Sequence, residues 1–541
     1  MEKRQRSFVS GAVILGIAGL IVKVIGAIFR IPLATLIDKE GMAYYETVYP
    51  YYSTLLVISS AGLPTAISKM VSERAALNDY RGAKRVFNCA LVILAVIGTV
   101  TMLLMLLGAN AFSSLAIASG SADDIAKQSM SFVAMAPSLL FVSLMCAYRG
   151  YLQGMQRMEG TAVSQVTEQV IKLVIGYSLA AYLLPMGYEY AAMGAILGVT
   201  ASELMALIVI WAFYMRNKRH FTPELGVRAI EDNSGLESIV KRLAAIAIPV
   251  TIGASIMPIT GIVDSIAIRR ILMELGYQYE AANEMFSIFR GNVMPIINMP
   301  AVLTVAIAVS LVPAISAKAA ERDARGVRHA ANTGIKLAMI IGAPCAAGLF
   351  VLAEPIITML YPRLTAADLQ IADTLMKISA VGVLFLSLVQ TTTGVIQGLG
   401  KPGVPVKYLA IGGVIKIASI IGLMFIPELN IAGAALSSVL CYAVAGVLDT
   451  VYLYKRTRIK VQWWHTFFKP IVSAVLMGEV VWLAYRGFTS LGMDTSATLL
   501  SVAVGAIVYG ALAILLRMFD RHDLEFIPGA AKLQRLFGRK R

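Results

Sequence analysis

A chain of 541 residues, 58% of them hydrophobic and only 15% charged, lies outside the makeup of soluble domains and reads as an integral membrane protein. Its formal charge of +15 would suit nucleic acid if it were gathered on one face. Four cysteines without C-x-x-C spacing, and four histidines confined to basic connecting segments and the tail, argue against a disulfide framework and a zinc site.

Apolar stretches of about 20 residues mark membrane spans. Fourteen are predicted, beginning near Phe8, Tyr44, Arg85, Ile125, Val163, Tyr190, Leu243, Asn283, Ala331, Ile371, Pro405, Ile431, Phe467 and Ala497. The basic start and long apolar run of the N-terminus read as a retained first helix rather than a signal peptide. In that helix Lys23, Gly26 and Arg30 are spaced +3 and +4 and share one face, with the two cations about 10 Å apart along the axis. Each would cost roughly 2.5 to 3.5 kcal/mol at a helix centre, which favours a wet cavity. Gly26 leaves room for a ligand, and Pro32 frees the helix to bend. Arg30 either faces that cavity or snorkels to the headgroups.

The fifth span, "SQVTEQVIK", groups Gln165, Glu168, Gln169 and Lys172 on one side. Glu168 and Lys172 form either an i, i+4 ion pair or a substrate contact. In the seventh span Asp264, near Thr251, Thr260 and Ser265, is either a site for a coupling Na⁺ or H⁺ or the partner of Arg269. In the eighth, Arg290 beside Gly291 and Pro295 lines a cleft through a broken helix or lies near the outer interface.

Connecting segments alternate between basic ("EKRQR", "RNKRH", "YKRTRIK", "GRKR") and non-basic ("DKEGMAYYE", "GSADDIAK", "IPELN"), which places both termini in the cytoplasm. Juxtamembrane cations facing anionic lipid account for most of the net charge, and nucleic acid is not needed as a partner. The chain also repeats itself. "AIS" and "ER" at 66–68 and 73–74 recur at 314–316 and 321–322, 248 residues on, while "GYLQG" and "VIK" at 150–154 and 170–172 recur as "GVIQG" and "VIK" 244 residues on. Six spans per unit is an even number, so the repeats are parallel. The expected fold is therefore an all-α polytopic membrane protein with two six-helix lobes and two C-terminal helices. Its expected divisions are an N-lobe (1–214), a cytoplasmic linker (215–242), a C-lobe (243–454), helices 13 and 14 (455–518) and a basic cytoplasmic tail (519–541). Two lobes about a cleft suit alternating access. P-loop, H-E-x-x-H and G-x-S-x-G patterns do not occur in the sequence, so a transporter rather than an enzyme is expected.

The stretches "VKVIGAIFRIPLATLI", "AGLPTAISKMVSERAA", "LQGMQRMEGTAVSQVTEQVIK" and "IQGLGKPGVPVKYLAIGGVIK" resemble the polysaccharide-exporter branch of the multidrug/oligosaccharidyl-lipid/polysaccharide (MOP) superfamily. Within it the chain is similar to the stage V sporulation protein B and YtgP group, related to the MurJ lipid II flippases. The resemblance implies a MurJ-like fold in a bacterial cytoplasmic membrane. It also implies outward movement of undecaprenyl-pyrophosphate-linked sugars, lipid II foremost, with cell-wall synthesis proteins as partners. Cavity cations would meet the pyrophosphate. The family's first-helix pattern, Arg-x-x-Gly-x-x-Arg-Asp, is met by Lys23 and Gly26, with Phe29 at the second Arg and Arg30 at the Asp. Arg290 corresponds to a cavity arginine of the eighth helix, and Asp264 to an acidic residue of a sodium site, though Lys416 supplies no acidic partner for it. Other expectations are a multidrug exporter of the same superfamily, which would favour acidic and aromatic residues, and a non-transporting scaffold for envelope assembly.

Overall fold

The computed structural model describes residues 2–77, 79–117, 121–217, 236–458 and 463–518. Most of the expected linker and all of the expected tail fall outside them. The described chain is helical nearly throughout and divides into two compact units, Met1–Arg270 and Ile271–Arg541.

The first unit opens with α1 (Glu2–Ser60), a continuous run except at Asp38, where φ is 55° and ψ is −176°. Asp tolerates positive φ because its short side chain bonds locally, and here Asp38 Oδ1 accepts the Lys39 N–H at 2.6 Å. The break thus falls at Asp38, whereas Pro32 stays inside helix. The unit continues with α2 (Leu63–Ala76), α3 (Tyr80–Leu107), the short α4 (Ala109–Ile117), α5 (Ala122–Gly154) and α6 (Glu159–Ile171). A π-helical turn (Lys172–Gly176) carries α6 into α7 (Tyr177–Leu183), and α8 (Tyr188–Asn217) follows. Then comes α9 (Leu236–Glu274). The second unit holds α10 (Tyr279–Ser287), a π turn (Ile288–Val293), α11 (Met294–Asn298), α12 (Ala301–Ala320), α13 (Ala324–Val351), α14 (Ala353–Leu360), α15 (Ala366–Gly398), α16 (Gly403–Met424) and α17 (Ala432–Thr457). It ends with α18 (Lys469–Ser490) and α19 (Asp494–Leu515).

Among the described residues twelve helices are long and apolar enough to span a bilayer, and the bent pair Tyr279–Asn298 and Ala301–Val312 makes a thirteenth. The first of the twelve runs from Val24 to Ala75 across the Asp38 break, so it contains two of the expected spans. Large apolar side chains such as Val92, Leu107, Val174, Ile507 and Leu515 are exposed on the surface, as a lipid-facing exterior requires. The last two helices pack through Ala474, Met477, Val481, Tyr509 and Ala513 onto Ile340 and Ala343 of α13.

The two units are built on one plan, and capping shows the register. Asp79 caps α3 by accepting the Gly82 N–H at 2.8 Å, and 244 residues on Asp323 caps α13 by accepting the Gly326 N–H at 2.9 Å. Ser121 and Asp124 form a capping box on α5, matched by Thr365 and Asp368 on α15 at the same interval. The helix crossings follow. A Cβ built on Gly98 would lie 2.7 Å from Ser143 Cβ, and one on Gly342 would lie 2.9 Å from Ser387 Cβ. Gly154 meets Ser68 O and Val71, and Gly398 meets Val312 O and Ile315, again 244 apart.

That register corrects the interval of 248 expected for "AIS" and "ER". The packing equivalent of Val71 is Ile315, and α2 and α12 end at Ala76 and Ala320. The matched motifs are one helical turn out of step, because a shift of four residues leaves a 3.6-residue helix showing nearly the same face.

The contact boundary at Arg270 differs from the lobe boundary expected at 243, because the first part of α9 packs with the first unit. Ile239, Leu243 and Ala247 join a core with Leu63, Ile67, Phe87 and Tyr151. A Cβ on Gly62 would sit 2.1 Å from the Ala247 carbonyl oxygen, so that approach requires glycine. The Gly62 N–H donates to Thr251 Oγ1 at 3.2 Å, and Arg242 pairs with Glu73 at 2.6 Å. Cys89, Cys146 and Cys441 are buried thiols, and Cys345 is half-buried.

Candidate functional site

Polar side chains of the first unit gather where the two arms of α1 meet α5, α6 and α8. Gly26 faces α6, and a Cβ there would lie 3.5 Å from Gln169 Oε1. One turn on, Phe29 is 1% exposed and supports the Lys172 ammonium, which sits 5.2 Å from its ring centroid. Lys172 Nζ also donates to the Tyr49 hydroxyl at 3.0 Å and lies 5.5 Å from the Tyr49 ring. Tyr45 in turn donates to Tyr49 at 2.9 Å. Among the described residues the direct contacts of Lys172 are thus with neutral groups.

The i, i+4 ion pair expected between Glu168 and Lys172 is not formed. Glu168 instead accepts from Arg149 of α5 at 3.1 Å and from Gln169 at 3.1 Å. Lys172, the first residue of the π turn, reaches α1 instead, where its ammonium donates to Tyr49. Arg149 also donates to Ser164 Oγ. Gln165 is half-buried on the same helix.

Arg30 is paired with Glu46, whose side chain is 1% exposed against 32% for Arg30. The guanidinium is thus held by the second arm of α1. Glu46, the last residue of the expected connecting segment "DKEGMAYYE", lies within helix. Next to it Thr47 accepts from Arg269 of α9, which also donates to the Ser265 carbonyl at 3.0 Å. Asp264, on the same helix, is 2% exposed. No group of three His, Cys, Asp or Glu side chains is placed to hold a metal ion among the described residues. The side chain of Lys23 lies outside those described.

Arg290 belongs to the second unit, half-buried on the π turn Ile288–Val293. Of the residues expected to bind a ligand, the structure brings Gly26, Glu168 and Lys172 together, with Arg30 joined to them through the α1 segment that carries Glu46 and Tyr49. Sequence reasoning missed Glu46, Tyr49, Arg149 and Glu203, a buried carboxylate of α8. A search for carboxylates and cations within apolar runs, without first assigning loops, would have flagged three of them.

The chain matches the family model described as polysaccharide biosynthesis protein over residues 8–319, and the MatE model over residues 291–420. Stage V sporulation protein B of Bacillus subtilis (strain 168) is 25% identical over 533 residues, covering 98% of this chain and 99% of that protein. Lipid II flippase MurJ of the same organism is 24% identical over 455 residues, covering 82% of each chain. The solved structure of lipid II flippase MurJ in an inward closed conformation superposes with a TM-score of 0.67 at 15% identity, covering 94% of this chain and 98% of that one. A likeness at that identity speaks for the fold, and the first family model spans more than half of the sequence. The chain is a multi-pass membrane protein with a MurJ-like fold, and it belongs to the polysaccharide biosynthesis protein family.

Proposed function

We propose that the protein is a flippase that carries an undecaprenyl-pyrophosphate-linked oligosaccharide, with lipid II as its cargo, from the inner to the outer leaflet of the bacterial cytoplasmic membrane by alternating access. The supporting observation is Lys172, a half-buried cation held by a tyrosine hydroxyl and two aromatic rings rather than by an acid. A diphosphate leaving water needs charge-assisted donors to replace its hydration, and a cation already neutralised by a carboxylate offers less. Gly26 beside it leaves space for a phosphate to approach. The prenyl chain stays in lipid while the head crosses. On this reading both termini are cytoplasmic, anionic lipids surround the basic segments, cell-wall synthesis proteins are partners, and Asp264 is the candidate for a coupling Na⁺ or H⁺. The protein's work is carriage and not catalysis.

The test is lipid II exposure on the outer leaflet of cells depleted of other flippases and supplied with this protein or its Lys172→Met variant. Losing one charged hydrogen bond of about 2 kcal/mol lowers affinity roughly 30-fold, so exposure should collapse while membrane insertion is unchanged. Full exposure with the variant removes Lys172 from the site. No movement of any polyprenyl-linked glycan by the reconstituted protein would favour the scaffold. The carboxylates Glu46, Glu168 and Glu203, set among Tyr45, Tyr49 and Tyr52, favour a multidrug exporter as the second reading. It predicts drug extrusion that needs Asp264 and tolerates loss of Lys172.

A further inference from the structure

Glu203, on α8, takes no part in the contacts described so far. It is 7% exposed, and its Oε2 is buried without a hydrogen-bond partner among the described residues. The groups within electrostatic reach come from each element packed around it: Tyr52 of α1, Cys146 and Arg149 of α5, and Glu168 and Lys172 of α6 and its π turn. Both cations are engaged elsewhere, Arg149 by Glu168 at 3.1 Å and Lys172 by Tyr49 at 3.0 Å. A buried carboxylate oxygen that no donor meets is costly, and a second carboxylate nearby adds repulsion. Uptake of one cation at that oxygen relieves both costs.

We propose that Glu203 is an exchangeable-cation site of the first unit, accepting one proton or one Na⁺ at Oε2. The nearby charges give the consequence a sign. Without the added cation, Glu168 and Glu203 balance Arg149 and Lys172. With it, the cluster carries one net positive charge, the charge that an anionic ligand at Lys172 would meet. Cation uptake therefore strengthens anion binding, and by linkage anion binding strengthens cation uptake. This second step rests on the reading of Lys172 as an anion-binding residue. The cation site itself does not.

The experiment uses the purified full chain and its Glu203→Gln variant without lipid substrate. Thermal unfolding is followed from mildly acidic to mildly alkaline pH, and against NaCl at constant ionic strength made up with KCl. Infrared difference spectra report the carbonyl stretch of a protonated carboxylic acid. A proton site gives a band that grows on acidification and is lost in E203Q, with a pH-dependent shift in melting temperature that the variant lacks. A sodium site gives a saturable Na⁺-dependent shift that the variant lacks. Equal pH and Na⁺ dependence in the two proteins overturns the proposal. Should E203Q not fold, a wild-type protein that shows neither the band nor a Na⁺-specific shift overturns it equally. Binding of inorganic pyrophosphate is then titrated at low and high cation concentration. Affinity should rise with the cation in the wild type and stay flat in E203Q. A cation site without that rise leaves Glu203 standing and removes Lys172 as the anion-binding residue.

Discussion

Replacing Glu46 by Gln tests whether the Arg30 cation is held inside the protein or belongs to the headgroup layer. The change keeps the shape of the side chain and an acceptor oxygen and removes its charge. Breaking a fully buried ion pair from one side costs roughly 3 to 5 kcal/mol, whereas exposed pairs are worth about 0.2 to 1 kcal/mol. Glu46 is 1% exposed and the Arg30 side chain 32%, so the guanidinium keeps some access to solvent or lipid headgroups. The cost should fall between those limits, at about 2 kcal/mol. Arg30→Met, which keeps a long unbranched side chain, and the double variant complete a cycle read by equilibrium unfolding of the full chain in detergent. A coupling energy of about 1 to 2 kcal/mol is expected. If E46Q matches the wild type within about 0.5 kcal/mol and the coupling is near zero, Arg30 does not depend on Glu46 and the snorkelling alternative returns.

The shared register of the two units makes paired predictions. Gly98→Ala and Gly342→Ala each press a methyl against a serine Cβ, at 2.7 Å from Ser143 and 2.9 Å from Ser387. Both should destabilise by about 1 to 3 kcal/mol, with rescue by Ser143→Gly and Ser387→Gly respectively. A large cost at one site and none at the other, in thermal unfolding, would contradict the common packing. Asp323→Ala should cost about 1 kcal/mol as a lost helix cap. Asp79→Ala should cost a few tenths of a kcal/mol more, because Asp79 also pairs with Arg74 at 2.9 Å.

The spans were legible because long apolar runs in a bilayer have few alternatives to helix. Helix starts were placed only within several residues: the spans expected from Arg85, Ile125, Ala331 and Ile371 lie behind the caps Asp79, Ser121, Asp323 and Thr365. The polar cluster was less legible, for two separate physical reasons. Glu46 lies where charges and a helix break coincide, and a break at Asp38 places it eight residues into the next helix, at 1% exposure. Glu168 and Lys172 obey the spacing of a local ion pair, but that rule sees one helix only. Arg149 of a neighbouring helix takes the carboxylate, and the lysine turns to Tyr49 of α1. The interval of 248 failed for the reason that helical periodicity is useful: residues four apart share a face, so a motif displaced by one turn still resembles its counterpart.

The same interval shows which positions serve the scaffold and which carry the charge. At 244 residues on, the capping acids and the crossing glycines recur, whereas Arg149, Glu168 and Gln169 become Thr393, Gly412 and Gly413, and only Lys172 is kept, as Lys416. The loss at Gly412 has a steric side, since a Cβ there would lie 2.6 Å from the Cys441 carbonyl oxygen on α17. The second unit uses for close helix packing a position that the first unit uses for a carboxylate. Gly412→Glu should therefore not transplant the first unit's ion pair: backbone cannot yield as a flexible side chain does, so α16 must move off α17. Loss of folded protein is the expected outcome in size-exclusion profiles, and a stable, monodisperse G412E protein would show that the position was free to hold an acid.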